Sequence, residues 1–136
     1  MGSKFFSKKV KVDGMVFDSK KEYQRWLELQ ELEKKGDICC LQRQVKFVLL
    51  PKQNGERAVT YVADYVYVYG DILVVEDVKS KYTKKQPKYI LKRKLFKFMY
   101  CNKKLDKVNE HFQIKDMIFL LTARDDIKEI YFKEYE

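Results

Sequence analysis

The sequence predicts a single α/β (α+β) domain, with a mixed central sheet flanked by helices and a β-hairpin ahead of the first helix. Three observations lead there. A chain of 136 residues can bury one substantial core but not two. Val- and Tyr-rich runs of strand length are interrupted by two stretches of helical periodicity, the pattern of a layered sheet-and-helix fold. Hydrophobic residues make up 46%, with ten Tyr and nine Phe, which excludes a disordered chain although 36% of residues are charged.

Taken in order, residues 1–9 are basic and loosely patterned. Val10 to Phe17 alternates around Asp13-Gly14, a dipeptide that supplies the positive φ angles of a tight hairpin. Ser19 is the expected N-cap of a helix, and Ser19-Lys20-Lys21-Glu22 fits a capping box. That helix runs to about Lys35, with Gly36 past its end. Tyr23, Trp26, Leu27, Leu29 and Leu32 give it a broad apolar face. From Ile38 to Leu50 the pattern turns to strand, with Val45, Phe47 and Leu49 alternating against polar neighbours. A polar loop with Gly55 leads to a second strand, Val59–Tyr69, and Gly70-Asp71 turns into a third, Ile72–Lys79. Lys88 to Tyr100 reads as a helix on Leu91, Leu95 and Phe98. Strands are expected near 117–122 and around Ile130-Tyr131-Phe132. No repeat or linker divides the chain, so residues 1–136 form one domain.

Composition excludes several function classes. No apolar run approaches the roughly 18 residues of a spanning helix, and the start lacks the apolar stretch of a signal peptide. Met-Gly-Ser opens like a myristoylation motif but has Phe6 where that motif needs Ser or Thr. Cys39, Cys40 and Cys101 match neither a zinc spacing nor a disulfide framework, and an odd count points to a reducing intracellular setting. The single histidine, His111, lies in a polar stretch and excludes schemes that need several. The formal charge of +9 is uneven. From Lys79 to Lys107 there are 12 Lys or Arg and one acid, Asp106, whereas after Lys107 seven acids face four basic residues. Such a block suits a polyanionic partner, and suits a solvated helix face as well.

One constellation carries chemistry. Side chains alternate along a strand, so Asp77 and Lys79 share a face while Glu76 and Val78 take the other. Counted from the Gly70-Asp71 turn, Asp64 falls near the level of Asp77 on the neighbouring strand. Periodicity leaves open whether Asp64 shares their face. If it does, two carboxylates and an ammonium meet, an arrangement costly to bury without a purpose. Two close carboxylates suit a hard divalent cation such as Mg²⁺, which activates water and polarises a phosphate. Lys79 would orient the water or stabilise charge on the phosphoryl group. Against this stands the reading of Asp77 and Lys79 as a surface ion pair.

These residues resemble a known family. Ser19-x-x-Glu22 opening a helix, Ala63-Asp64 on one strand and Glu76-Asp77-Val78-Lys79 on the next resemble the PD-(D/E)XK nuclease superfamily, in particular small phage and prophage endonuclease-like proteins. The likeness spans roughly Lys9 to Tyr100, with Ala63 where many members have proline. It implies a restriction-endonuclease-like α-β-β-β-α-β core, in agreement with the element order above. It also implies a Mg²⁺-dependent endodeoxyribonuclease, with Mn²⁺ as a substitute. Asp64 and Asp77 would then be metal-binding acids, with the Val78 backbone carbonyl beside them. Lys79 would be the catalytic lysine, and Glu22 a helix acid making a further metal or water contact. Glu76 is the alternative acid, disfavoured because alternation turns it away from Lys79.

DNA is the expected partner, and branched DNA cut by a homodimer is compatible with the resemblance. So is a bacterial or phage-infected cytoplasm, with no membrane. Lys84, Lys85, Lys88, Lys92 and Arg93 are the expected DNA contacts, Lys88 and Lys92 foremost because four residues apart they share a helix face. Gln44 stands out as polar on an apolar strand, equally suited to placing a water or phosphate and to capping a sheet edge. Tyr61, Tyr65, Tyr67 and Tyr69 are expected on the face opposite Asp64, packed under a helix, and Arg124-Asp125-Asp126 as a polar turn. The competing functions are a non-catalytic nucleic-acid-binding protein that kept the fold, and a basic structural protein.

Overall fold

The computed structural model describes residues 8–101 and 127–136. The strand expected at 117–122, the surface histidine His111 and the turn at Arg124 lie outside the described residues.

Val10–Val12 (β1) and Met15–Phe17 (β2) form the hairpin, closed by Asp13 and Gly14 at φ 50 and 80. Two positive angles in succession give the turn whose twist matches the strands. Lys20–Lys35 (α1) follows, and Ser19 Oγ accepts the Glu22 N–H at 3.1 Å. The capping box closes one residue early, because the Glu22 carboxylate accepts the Asp18 N–H, not that of Ser19. Gly36 at φ 86 ends the helix, letting Asp37 N–H reach back to the Leu32 carbonyl.

The sheet consists of Cys39–Leu50 (β3), Val59–Tyr69 (β4), Ile72–Val78 (β5) and Glu129–Tyr135 (β6). Their order is β3-β4-β5-β6, antiparallel except for the parallel β5–β6 pair. The mixed sheet of an α+β fold is therefore present. Pro87–Phe96 (α2) lies against the other face, preceded by a 3-10 turn at Thr83–Lys85 and continued by a π turn at Lys97–Cys101.

Each helix departs in part from the stripe its sequence suggests: in α1 Leu29 is buried and Trp26 and Leu32 pack against the core while Leu27 turns outward, and in α2 only Leu95 of the expected three packs inward. In α1 the buried residues are Glu22, Arg25 and Leu29, whereas Leu27 is 47% exposed. Two residues past Arg25 is about 200° around the helix, on the solvent side. In α2 and its extension Tyr89, Phe96 and Tyr100 are buried, while Leu91 and Phe98 are largely exposed. Aromatic rings set this roll, since they remove the most apolar area from water. Phe96 meets Phe47 edge-on at 4.9 Å and stacks with Tyr100 at 5.0 Å.

The core has two halves. Leu29, Ile38, Tyr65, Tyr67 and Val74 pack beneath α1. Val45, Phe47, Tyr61, Ala63, Val66, Val75, Phe96 and Phe132 pack beneath α2. The tyrosines of β4 are thus not one stripe: Tyr65 and Tyr67 lie under α1, Tyr61 under α2, and Tyr69 is exposed. Alternation is interrupted at Asp64, with Ala63 on one side and Tyr65 on the other. The facing strand changes side at the same level, since Arg43 covers the Phe17 and Trp26 rings while Val45 enters the α2 core. Gln44, at φ 52, is the backbone cause in β3.

α1 is fastened by a buried ion pair. Arg25 grips Glu76 of β5 with Nε–Oε2 at 2.7 Å and Nη2–Oε1 at 2.8 Å, and the Tyr67 hydroxyl donates to Oε1 at 2.8 Å. Arg25→Met leaves Glu76 charged and dry, and is expected to lower stability by about 3–5 kcal/mol in urea unfolding. The exposed outer partner gives the contrast: Glu28→Ala should stay within about 1 kcal/mol.

Candidate active site

β4 and β5 pair from Tyr69↔Ile72 to Tyr65↔Glu76. One step further Asp64 stands opposite Asp77, and there the ladder gives way to a side chain. The Val78 N–H donates to Asp64 Oδ2 at 2.8 Å. That bond satisfies the strand's donor while β4 turns away. Asp77 is 2% exposed, and Lys79 Nζ sits 3.3 Å from its Oδ2. The Lys79 ammonium is also 4.5 Å from the centre of the Tyr89 ring, a contact that favours a cation over the ring face. Asp64, Asp77 and Lys79 are therefore brought together on the α2 side of the sheet, as a shared face requires. Glu76 is turned the other way into the Arg25 fork, so it is absent from this cluster.

Glu22 reaches the site from α1. It is buried, and Gln44 Nε2 donates to Glu22 Oε1 at 3.3 Å and to Asp64 Oδ1 at 3.5 Å. Tyr65 supports this end of α1 by donating to the Glu22 carbonyl at 2.6 Å. The Lys79 carbonyl accepts from Lys21 Nζ at 3.2 Å, and its N–H donates to the Tyr135 carbonyl. The site thus draws on α1, β3, β4 and β5, with β6 holding its outer margin.

Beside Asp77 and Lys79 opens a cleft of about 550 Å³, walled by Thr60, Tyr61, Thr83, Gln86, Tyr89 and the lysines Lys88 and Lys92. Lys88 and Lys92 share the cleft as their spacing requires. The other nominated cations divide. Arg93 is bound to Glu134 at 3.1 Å and Lys84 to Glu136, whereas Lys85 is exposed. Tyr61 and Tyr89 escaped the sequence reading, since alternation assigns Tyr61 to the wrong face and nothing distinguishes Tyr89 from a core aromatic. Their buried hydroxyls lack a hydrogen bond of good geometry. Burial, and then the Asp77 carboxylate, raise the hydroxyl pKa of each.

The acids are under electrostatic load. Burial, followed by a hydrogen bond shared with Asp77 and that carboxylate's charge, pushes Asp64 up to about 8. The Val78 N–H and Lys79 oppose the shift without cancelling it. Glu22 is pushed up to about 7, first by burial and then by Asp64. A divalent cation would relieve this load, and the donors present are hard oxygens of the kind Mg²⁺ selects. Among the described residues no group of three or more acids is close enough to hold an ion by itself. Mg²⁺ is commonly held by one or two carboxylates, with waters and substrate phosphates completing the shell. Asp64 and Asp77 fit that habit.

Fold and site together define an α+β domain carrying a carboxylate–lysine centre where two antiparallel strands part. The chain belongs to the family described as "Protein of unknown function (DUF1064)", whose model matches residues 2–117. No curated protein and no solved structure matches it. No helix among the described residues is long and apolar enough to cross a membrane.

Both shifted acids hold more protons when folded than when unfolded, from their ordinary values of 3.8 and 4.5 up to about 8 and 7. The native state therefore loses stability as pH rises through that window. Melting in EDTA should show Tm declining from about pH 5 to about pH 8. Asp64→Asn should flatten the decline, and a Tm rising across the window in the wild type would contradict it.

Proposed function

We propose that the protein is a divalent-metal-dependent endonuclease that hydrolyses DNA phosphodiester bonds. One observation supports this above the others: Asp64 and Asp77 converge beside Lys79 at the parting of β4 and β5, next to a lysine-lined cleft. That is the constellation for which the sequence resembles PD-(D/E)XK nucleases. Asp64 and Asp77 would hold Mg²⁺, with Glu22 as a nearby third acid. The ion, when bound, supplies Lewis-acid polarisation of the phosphate and a water that loses its proton readily.

The rest falls to the chain. The Val78 amide fixes the Asp64 carboxylate at the parting of the strands. Lys79, held between Asp77 and the Tyr89 ring, presents its ammonium at the cleft mouth. There it hydrogen-bonds the attacking water or the phosphate oxygen on which negative charge grows. Lys88 and Lys92 bind backbone phosphates running through the cleft. Such contacts orient a strand without reading its sequence, so shape is the expected basis of selection among linear, single-stranded and branched DNA.

Supercoiled, linear, single-stranded and four-way-junction DNA incubated with Mg²⁺, Mn²⁺ or EDTA test the reading. Cleavage is expected with metal and absent in EDTA. Asp77→Asn should abolish it while binding persists, and Lys79→Met should slow it about 10²–10³-fold. A wild type that binds DNA and cuts nothing under any metal would instead mark a non-catalytic binding protein.

The lysines have their own signature. Lys88→Ala and Lys92→Ala should each flatten the slope of log K against log salt by about 0.9 on duplex DNA, the loss of one phosphate contact. Unchanged slopes, from binding titrations between low and moderate salt, would remove these residues from the interface.

A further inference from the structure

Gln44 stands apart from the acids and lysine, and its geometry is unusual in two respects. Its backbone lies at φ 52 in the middle of a twelve-residue strand, a left-handed conformation that a side-chain-bearing residue keeps only when its surroundings enforce it. Its amide also lies between two carboxylates, 3.3 Å from Glu22 Oε1 and 3.5 Å from Asp64 Oδ1. An NH₂ group has two protons, enough to serve both acids at once. With both acids ionised, the amide turned the other way would set its carbonyl oxygen against two carboxylates, so the ionised network favours this orientation.

The remaining oxygens are held by the main chain. Glu22 Oε2 accepts the Asp18 N–H at 3.1 Å, and Asp64 Oδ2 accepts the Val78 N–H at 2.8 Å. Each acid is therefore oriented by one backbone donor and by one proton of the same amide. Among the described residues Gln44 is the only side chain that bonds to both acids. The left-handed backbone is what allows this. It shifts β3 from the α1 core at Arg43 to the α2 core at Val45, and so leaves Gln44 at the boundary, level with Asp64.

We infer that Gln44 is a positioning residue, whose amide ties the helix acid Glu22 to the strand acid Asp64 and thereby sets the affinity of the site for a divalent cation. The inference rests on the metal-site reading above. Carboxylates that repel each other separate when nothing bridges them, and a cation must then draw them back together. Donors behind the ligands keep them in place beforehand, and losing one such donor weakens metal binding about 10–100-fold.

The test uses the metal alone, without DNA: Mn²⁺ binding followed by electron paramagnetic resonance of the free ion, and Mg²⁺ binding by calorimetry. Gln44→Met keeps the length and loses the protons, so its affinity for both ions should fall about 10–100-fold. Gln44→Gly accepts the left-handed backbone. It should show the same loss of affinity with a Tm in EDTA equal to or above wild type, which separates the amide from the fold. In DNA cleavage, the metal concentration giving half-maximal rate should rise by a similar factor in both variants, with less change in the rate at saturating metal.

Wild-type affinity in both variants overturns the inference and leaves the metal site standing. Wild-type affinity in Gln44→Gly with loss only in Gln44→Met also overturns it, because bulk and not the missing amide would be responsible. A wild-type protein that binds neither ion removes the metal-site reading, and this inference with it.

Discussion

The hydrogen bond from the Val78 N–H to Asp64 Oδ2, 2.8 Å long, replaces a rung of the β4–β5 ladder with a side chain. Strands that separate leave main-chain donors without partners, and a donor left dry costs on the order of 1–3 kcal/mol. Asp64 removes that cost, so the sheet can part at this level without penalty to Val78. The same bond fixes one carboxylate oxygen beside Asp77. Asp64 therefore serves both the backbone and the site, and replacing it disturbs both. Among the described residues the Asp77 carboxylate bonds to no main-chain group, so replacing it leaves the strand's own hydrogen bonds in place.

Glu76 and Asp77 are neighbours in sequence, nearly inaccessible to solvent, and opposite in circumstance. Glu76 receives two bonds from Arg25 and one from Tyr67, about as complete a compensation as a buried carboxylate obtains. The acids on the other side are less well served. Asp77 has one ammonium at 3.3 Å, and burial with mutual repulsion raises the pKa of the adjoining Asp64 and Glu22. A structural ion pair arranges its partners to lower such electrostatic load. The acids around the gap keep more of that load than Glu76 does, and strongly perturbed groups clustered at a cleft are the feature on which the proposed function rests.

Much of this was legible in the sequence because it followed from short-range rules. The Asp13-Gly14 turn, the Ser19 cap, the Gly36 stop and the limits of β4 all come from local backbone preferences. Strand alternation correctly joined Asp77 to Lys79 and turned Glu76 away. The same rule failed for Tyr61, because alternation assumes a regular strand and the strands change side at the Gln44–Asp64 level. A positive φ at a glutamine has no sequence signature, unlike one at a glycine. The exposure of Leu27 and Leu91 is another non-local result. Helical periodicity identifies an apolar stripe, but the roll of each helix was settled by partners far along the chain: Glu76 for α1, and Phe47 with Phe132 for α2.

The distribution of charge acquires a different meaning once folded. The basic block and the acidic C-terminal stretch are separate in sequence, yet β6 runs parallel to β5 and carries its acids back to α2. Glu134 takes Arg93, and Glu136 takes Lys84. Those two cations are partly neutralised from within the chain and contribute less to an anionic partner than their number suggests. Lys88 and Lys92 make no ion pair among the described residues and stand together at the cleft. Burial, and then the charge of Lys88, lower the Lys92 pKa. Two ammonium groups in that position repel each other until an anion comes between them. The cleft beside Asp77 thus sets two mutually repelling ammonium groups next to a buried carboxylate.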